Sequence, residues 1–155
     1  MLSINDKGPS NKMNITVREF TLAIMRDDNI GGEMMTDDEL FREAYTMNVI
    51  DNQDYLHPDD YITRKAAARI IHHTLLYLLD EIDVSDIRHA NVLVDLYDCR
   101  TCVLHIAQVY CKKIMGSKTI TDKSSGKTFE IFDMNSGIEH EEMNQILSKI
   151  WNRSK

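Results

Sequence analysis

Ile62-Thr63-Arg64-Lys65-Ala66-Ala67 is the stretch that decides the fold, because related phrases open two further apolar runs with helical spacing. The first of these is Ile15-Thr16-Val17-Arg18-Glu19-Phe20, and the last is Ile138-Glu139-His140-Glu141-Glu142-Met143. A phrase that returns in this way is typical of repeat proteins, in which each supersecondary unit buries its apolar face only against its neighbours. The three phrases therefore predict a helical repeat domain.

The composition favours a mainly helical domain with one core. The chain has 155 residues, of which 43% are hydrophobic and 28% charged, and it contains only two prolines and six glycines. Long helices form easily in such a chain, whereas an all-β sandwich needs more turn residues. We expect a polar, flexible lead-in over residues 1–13 and a single helical domain over 14–155. This domain would consist of a partial repeat over 14–32 and of repeats over 33–82 and 83–155.

Charge and hydropathy exclude two classes of protein. The net charge of −7 argues against a nucleic-acid binder, because such proteins neutralise phosphates with clustered Lys and Arg. No apolar stretch reaches the roughly 18 residues that a membrane span needs. The N-terminal residues lack the pattern of a secretory signal, so we expect either a cytoplasmic protein or a mature or excised piece of a longer chain.

Local signals place the elements. Thr16 with Glu19 and Thr36 with Glu39 have the spacing of a capping box, in which each residue satisfies a free backbone amide of the other. A loop is expected over 49–61 and helices over 63–79, 87–97, 99–113 and 139–151. Residues 118–121 and 127–132 alternate about turn-forming residues 122–126, which predicts a β-hairpin near 118–132.

The cysteines allow two interpretations. Cys99 and Cys102 have the C-x-x-C spacing of zinc and redox sites, and His105 follows three residues later. A zinc site would need a second pair of ligands, which only the fold could supply, by bringing His72-His73 near. Because 99, 102, 105 and 109 also share one helix face, we favour small residues packed in a core, and we expect no cofactor.

The middle repeat resembles the S-layer homology domain, a repeat of bacterial cell surfaces. That family has a Gly-Ile-Ile-like phrase after its first helix, then Phe-x-Pro, then Ile-Thr-Arg-Ala-Glu opening its second helix. Met47-Asn48-Val49-Ile50, Leu56-His57-Pro58 and Ile62-Thr63-Arg64 stand at these places. The last repeat has Lys113-Ile114-Met115, Phe132-Asp133-Met134 and Ile138 onward, with the hairpin as an insertion.

The resemblance implies a non-catalytic module that binds an anionic cell-wall polysaccharide through the Arg and acidic residue of this phrase, or that serves as a surface spacer. Arg64 is the one Arg kept, since Val17 and His140 stand at the equivalent positions. The residues that would contact the polymer are Arg64, Lys65, Tyr61, Thr63, Glu19, Glu142 and His140. The resemblance also implies a location at the cell surface.

Other interpretations stay open. Tyr45, Tyr55, Tyr61 and His57 could line a sugar-binding groove or form a small satellite core. A helical adaptor that binds proteins is the alternative function, and its nine methionines would suit an adaptable surface. We expect no enzyme, because no nucleophile, base and orienting group stand at meaningful spacing. A homo-oligomer is expected if Phe20 and Ile24 lack cover within one chain.

Overall fold

A computed structural model describes residues 14–27 and 35–153, so the expected lead-in over 1–13 and part of the first repeat lie outside the described residues. The described residues form a mainly helical protein with a small antiparallel sheet, which confirms the predicted fold class. The helices are α1 Val17–Asp27, α2 Asp37–Thr46, α3 Asn52–Leu56, α4 Arg64–His73, α5 Val103–Cys111 and α6 His140–Arg153. The strands are β1 Lys118–Thr121 and β2 Thr128–Ile131. None of the described helices combines the length and the apolar character that crossing a membrane requires.

The chain divides into two compact units. The first contains residues up to Thr63 and from Gly137 onward, and the second contains Arg64–Ser136. The helices α1, α2, α3 and α6 therefore belong to the first unit, and α4, α5 and the sheet belong to the second.

The three related phrases meet in the first unit. Their isoleucines, Ile15, Ile62 and Ile138, are at most 1% exposed. The Ile15 amide donates to the Ile138 carbonyl at 3.0 Å, and the Ile62 amide donates to the Ile15 carbonyl at 3.0 Å. Isolated antiparallel bridges join Asn14 to Glu139, Thr16 to Tyr61 and Thr63 to Gly137. Each phrase is thus paired with both of the others.

Two of the phrases also begin their helices with the same hydrogen bonds. In each phrase, the backbone amides of the second and third residues after the isoleucine donate hydrogen bonds. The accepting carbonyls belong to the residues that stand two and four positions before the isoleucine of the next phrase. In the first unit these bonds run from Val17 to Asp60 at 2.9 Å and from Arg18 to Pro58 at 2.8 Å; in the second unit they run from Arg64 to Ser136 at 2.8 Å and from Lys65 to Met134 at 2.9 Å.

The ends of α2 and α5 share a second motif. Asn48 and Lys113 follow these helices with positive φ values of 67° and 64°. In the first unit the Val49 amide bonds to the Ala44 carbonyl at 2.9 Å, and in the second unit the Ile114 amide bonds to the Val109 carbonyl at 2.9 Å. This six-to-one bond around a left-handed residue defines a Schellman cap, a position that usually holds glycine.

Both capping boxes are confirmed, but the loop predicted over 49–61 is wrong at Asn52–Leu56, which forms the helix α3. The Thr16 hydroxyl accepts from the Glu19 amide at 3.1 Å, and Thr36 and Glu39 cap α2 in the same reciprocal way. Within 49–61, Asp51 and Asp54 form a further capping box that starts α3. Both carboxylates lie in the segment that was predicted as a loop, although Asp can take both roles of the box.

In the second unit, two further predictions are wrong and one is confirmed. The helix predicted over 63–79 changes to a π-helix at Thr74–Leu78, and the helix predicted over 87–97 is instead the two 3-10 turns Arg88–Val92 and Leu96–Asp98. The hairpin is confirmed, with Lys118 opposite Ile131 and Thr121 opposite Thr128.

Candidate functional site

Arg64, the residue on which the predicted polysaccharide site depended, is buried in the second unit. The residue is 3% exposed, although a first-turn arginine is usually a solvated surface residue. Its Nε donates to the Phe132 carbonyl at 2.7 Å, and its Nη2 donates to the Gly116 carbonyl at 2.7 Å. The guanidinium also lies over the Phe132 ring, 4.7 Å from the centroid. These bonds direct the guanidinium to the protein's own backbone.

The other predicted contact residues are divided between the two units and differ in exposure. Glu19 caps α1, since its carboxylate accepts from the Thr16 amide at 2.8 Å. Tyr61 is exposed at 63%, whereas Thr63 is half-buried at its bridge to Gly137. Lys65, a further candidate, is half-buried in the second unit. The last two candidates lie in the first turn of α6, where His140 is exposed and Glu142 is half-buried.

An aromatic face, formed by Phe41, Tyr45 and Tyr55, lies in the first unit. The rings of Tyr45 and Tyr55 are stacked at 4.6 Å and 12°, and Phe41 is stacked on Tyr55 at 5.7 Å. A hydrogen bond with Tyr55 raises the pKa of the Arg42 guanidinium, and Arg18 lies over Phe41 at 5.4 Å. Because Tyr55 is stacked with both neighbours and Phe41 is only 4% exposed, Tyr45, which is 37% exposed, is the ring of this face on which a sugar could stack, beside two cations.

The cysteines do not pack in a core as small apolar residues. Cys99 and Cys102 form a disulfide, both are half-buried, and α5 begins only at Val103. Their sulfurs are thus bonded to each other, which also removes them from a metal site with His105. Cys111 is free, and burial raises the pKa of its thiol.

Three imidazoles lie close together in the second unit, a cluster that the sequence alone did not predict. His72, at the end of α4, is 2% exposed, and its Nδ1 lies 2.8 Å from the Nδ1 of His105 on α5. Its other nitrogen, Nε2, lies 2.7 Å from the Asp83 carboxylate. The His73 ring centroid lies 5.3 Å from that of His105 and 6.4 Å from that of His72. We call His72, His73 and His105 the histidine cluster.

The bonds of the histidine cluster determine where its protons lie. An ionised Asp83 can only accept, so His72 carries a proton on Nε2 and, when neutral, presents a lone pair on Nδ1. His105 must then donate from its Nδ1. Burial, with the neighbouring His72, His73 and Arg69, lowers the pKa of His105 to about 4, so this imidazole is neutral at pH 7. Within residues 14–27 and 35–153, no group of three or more His, Cys, Asp or Glu side chains is placed so that it could hold a metal ion.

Comparison with family models, with curated proteins and with solved structures found no match for this chain. The site must therefore be interpreted from its own residues. The sequence signal for the cluster was the pair His72-His73, whose approach to His105 depends on how α4 packs against α5.

Proposed function

We propose that the protein is a non-catalytic binding module built from S-layer-homology-like units. The observation that carries the proposal is the repeated set of backbone hydrogen bonds after Ile15 and Ile62, because two unrelated helix starts would not share donors and acceptors at the same offsets. The two Schellman caps support the proposal as well, since Asn48 occupies the position that glycine has in the family's Gly-Ile-Ile-like phrase.

The ligand that suits the aromatic face is a cell-wall polysaccharide with few acidic groups. Stacking on Tyr45, which is 37% exposed, needs an apolar sugar face and does not depend on charge. Arg18 is engaged at 3.3 Å by both Asp38 and Asp59, so it offers little free positive charge to an anionic polymer. Arg64, the expected partner of an acidic sugar, is turned inward. A neutral polymer therefore fits better than the anionic one that the family resemblance implied.

Co-sedimentation with purified, insoluble wall polysaccharide tests this function. We expect the wild type to bind and Tyr45→Ala to bind about 2- to 13-fold more weakly, since one aromatic stacking contact contributes about 0.5–1.5 kcal/mol. Tyr97→Ala is the matched control, because Tyr97 is a 66% exposed tyrosine of the second unit. Chemical removal of acidic substituents from the polymer should leave binding unchanged. Absence of wild-type binding to every wall polymer tested rejects the function.

A protein-binding adaptor is the second candidate, favoured by an apolar face on the sheet. Ile120 lies opposite Phe129 on the hairpin, and the Val94 amide donates to the Glu130 carbonyl at 3.0 Å, beside β2. Because side chains alternate along a strand, Val94, Phe129 and Ile120 share one side, and they are 61%, 40% and 45% exposed. A partner purified from host extract with the wild type but lost with Ile120→Asp would support this function, and equal recovery with both would reject it.

A further inference from the structure

We propose that the Cys99–Cys102 disulfide is a redox-active site that exchanges with a dithiol, namely a pair of cysteine thiols in a partner polypeptide. The bridge belongs to the second unit, whereas the aromatic face proposed to bind polysaccharide belongs to the first. The two proposals are therefore tested separately.

The bridge stands where another molecule can reach its sulfurs. Cys99 and Cys102 are half-buried, and the two residues between them, Arg100 and Thr101, are exposed. Reactive cysteines occupy partly exposed positions of this kind, whereas buried structural cysteines are inert. A thiolate can therefore approach the bridge while the second unit stays folded.

The bridge contributes little to holding the fold together. It joins residues only three positions apart, and the chain entropy that a disulfide removes from the unfolded state becomes smaller as the closed loop becomes shorter. The Cys102 amide also donates to the Cys99 carbonyl at 3.0 Å, which closes the same turn through the backbone. Reduction of the bridge should therefore leave this turn in place.

The start of a helical segment stabilises the thiolate of Cys99 after the bridge opens. Cys99 directly precedes the 3-10 turn Arg100–Cys102, which continues into α5. The first amides of a helical segment have no partner within it and favour negative charge, so thiolates form readily at such positions. The Cys99 sulfur also lies 3.5 Å from the Thr101 hydroxyl, which can donate to it. Cys99 is therefore the cysteine of the pair that holds the negative charge in the reduced form.

The exchange proceeds through a mixed disulfide. A thiolate of the partner attacks one sulfur of the bridge, the bond between Cys99 and Cys102 breaks, and the other sulfur leaves as a thiolate. The second thiol of the partner loses its proton and attacks the partner's own sulfur in the mixed disulfide, which releases the remaining cysteine. The partner thus loses two electrons and two protons and becomes a disulfide, and the bridge becomes two thiols.

Exposed apolar side chains precede and follow the bridge in the sequence. Tyr97, two residues before Cys99, is 66% exposed, and Leu104, two residues after Cys102, is 48% exposed. These side chains offer apolar contacts to a polypeptide, which favours a polypeptide over a small thiol as the partner.

Redox titration of the Cys111→Ser protein tests the proposal, because the bridge then contains all the remaining cysteines of the chain. The protein is equilibrated with buffers of reduced and oxidised glutathione, its thiols are trapped with a maleimide and counted by mass, and circular dichroism follows the fold. Structural disulfides resist reduction by the glutathione pool. We expect this bridge to be reduced in the more reducing glutathione buffers while the protein stays folded. A bridge that stays oxidised in every buffer, or that opens only as the protein unfolds, would overturn the proposal.

A synthetic peptide with two cysteines distinguishes a polypeptide dithiol from a small thiol. The oxidised protein should convert this peptide to its disulfide at least about 10-fold faster than it oxidises glutathione at the same thiol concentration, because the second step is intramolecular for the peptide. Equal rates would overturn the assignment of a polypeptide dithiol as the partner.

Two matched variants, each in the Cys111→Ser background, test the role of Cys99. Cys102→Ser leaves Cys99 as the single thiol, and Cys99→Ser leaves Cys102. Iodoacetamide at pH 7 should alkylate Cys99 at least about 5-fold faster than Cys102, because the helical segment stabilises its thiolate. Equal rates would overturn the assignment of Cys99 as the reactive thiol.

Discussion

Replacement of Arg64 by Ala should make the protein easier to unfold, because the buried side chain stabilises the second unit. The substitution removes two hydrogen bonds of 2.7 Å from a charged donor, to the carbonyls of Phe132 and Gly116. Each such bond contributes about 1.5–3 kcal/mol, and the guanidinium over the Phe132 ring adds about 0.5–2 kcal/mol. The cost of burying the charge offsets part of this sum. We expect a loss of about 3–5 kcal/mol in the free energy of unfolding.

Urea unfolding followed by circular dichroism measures this loss. With an m-value of about 2 kcal/mol/M, the midpoint should fall by about 2 M. Arg64→Lys should lose about half as much, because Lys keeps the charge but lacks the planar fork that reaches two carbonyls. Arg100→Ala, which removes an exposed arginine of the same unit, should change the free energy of unfolding by less than about 0.5 kcal/mol.

The result that would refute the reasoning is an Arg64→Ala variant with the unfolding midpoint of Arg100→Ala. A residue that serves only to contact a ligand would behave in that way, because its removal would weaken binding and leave stability intact. The two roles of Arg64, structural and ligand-binding, are therefore separated by one unfolding curve.

Three further perturbations test the structure. Lys113→Gly should raise the free energy of unfolding by about 0.5–1 kcal/mol, since Lys113 has a φ of 64°. Asn48→Gly should raise the free energy of unfolding by less, because Asn tolerates this conformation. Thermal unfolding of both variants measures the difference. Asp54→Ala should cost about 1–2 kcal/mol in urea unfolding, because it removes the N3 carboxylate of the α3 capping box, whereas an unchanged midpoint would contradict that role. For His105 the folded pKa of about 4 lies below the ordinary 6.5, so the unfolded chain binds more protons between these values. Stability should therefore be full above about pH 6.5 and fall as the pH drops towards 4, and His105→Gln should flatten this dependence.

Local signals accounted for much of the fold. The boxes Thr16 with Glu19 and Thr36 with Glu39, and the hairpin about residues 122–126, were predicted because their hydrogen bonds join residues only a few positions apart. The same local reasoning missed α3, where Asp51 and Asp54 fit a turn as well as a helix start.

The repeated phrase by itself determined that helices begin after Ile15, Ile62 and Ile138 and that these isoleucines are buried. Capping and apolar spacing depend only on residues that are close together in the sequence. Only the tertiary structure decided what Arg64 does, since its bonds reach 68 and 52 residues along the chain. It also decided that His72 meets His105 across 33 residues. Such contacts depend on how helices pack, and no spacing within one helix encodes which distant carbonyl or imidazole will lie within hydrogen-bonding distance.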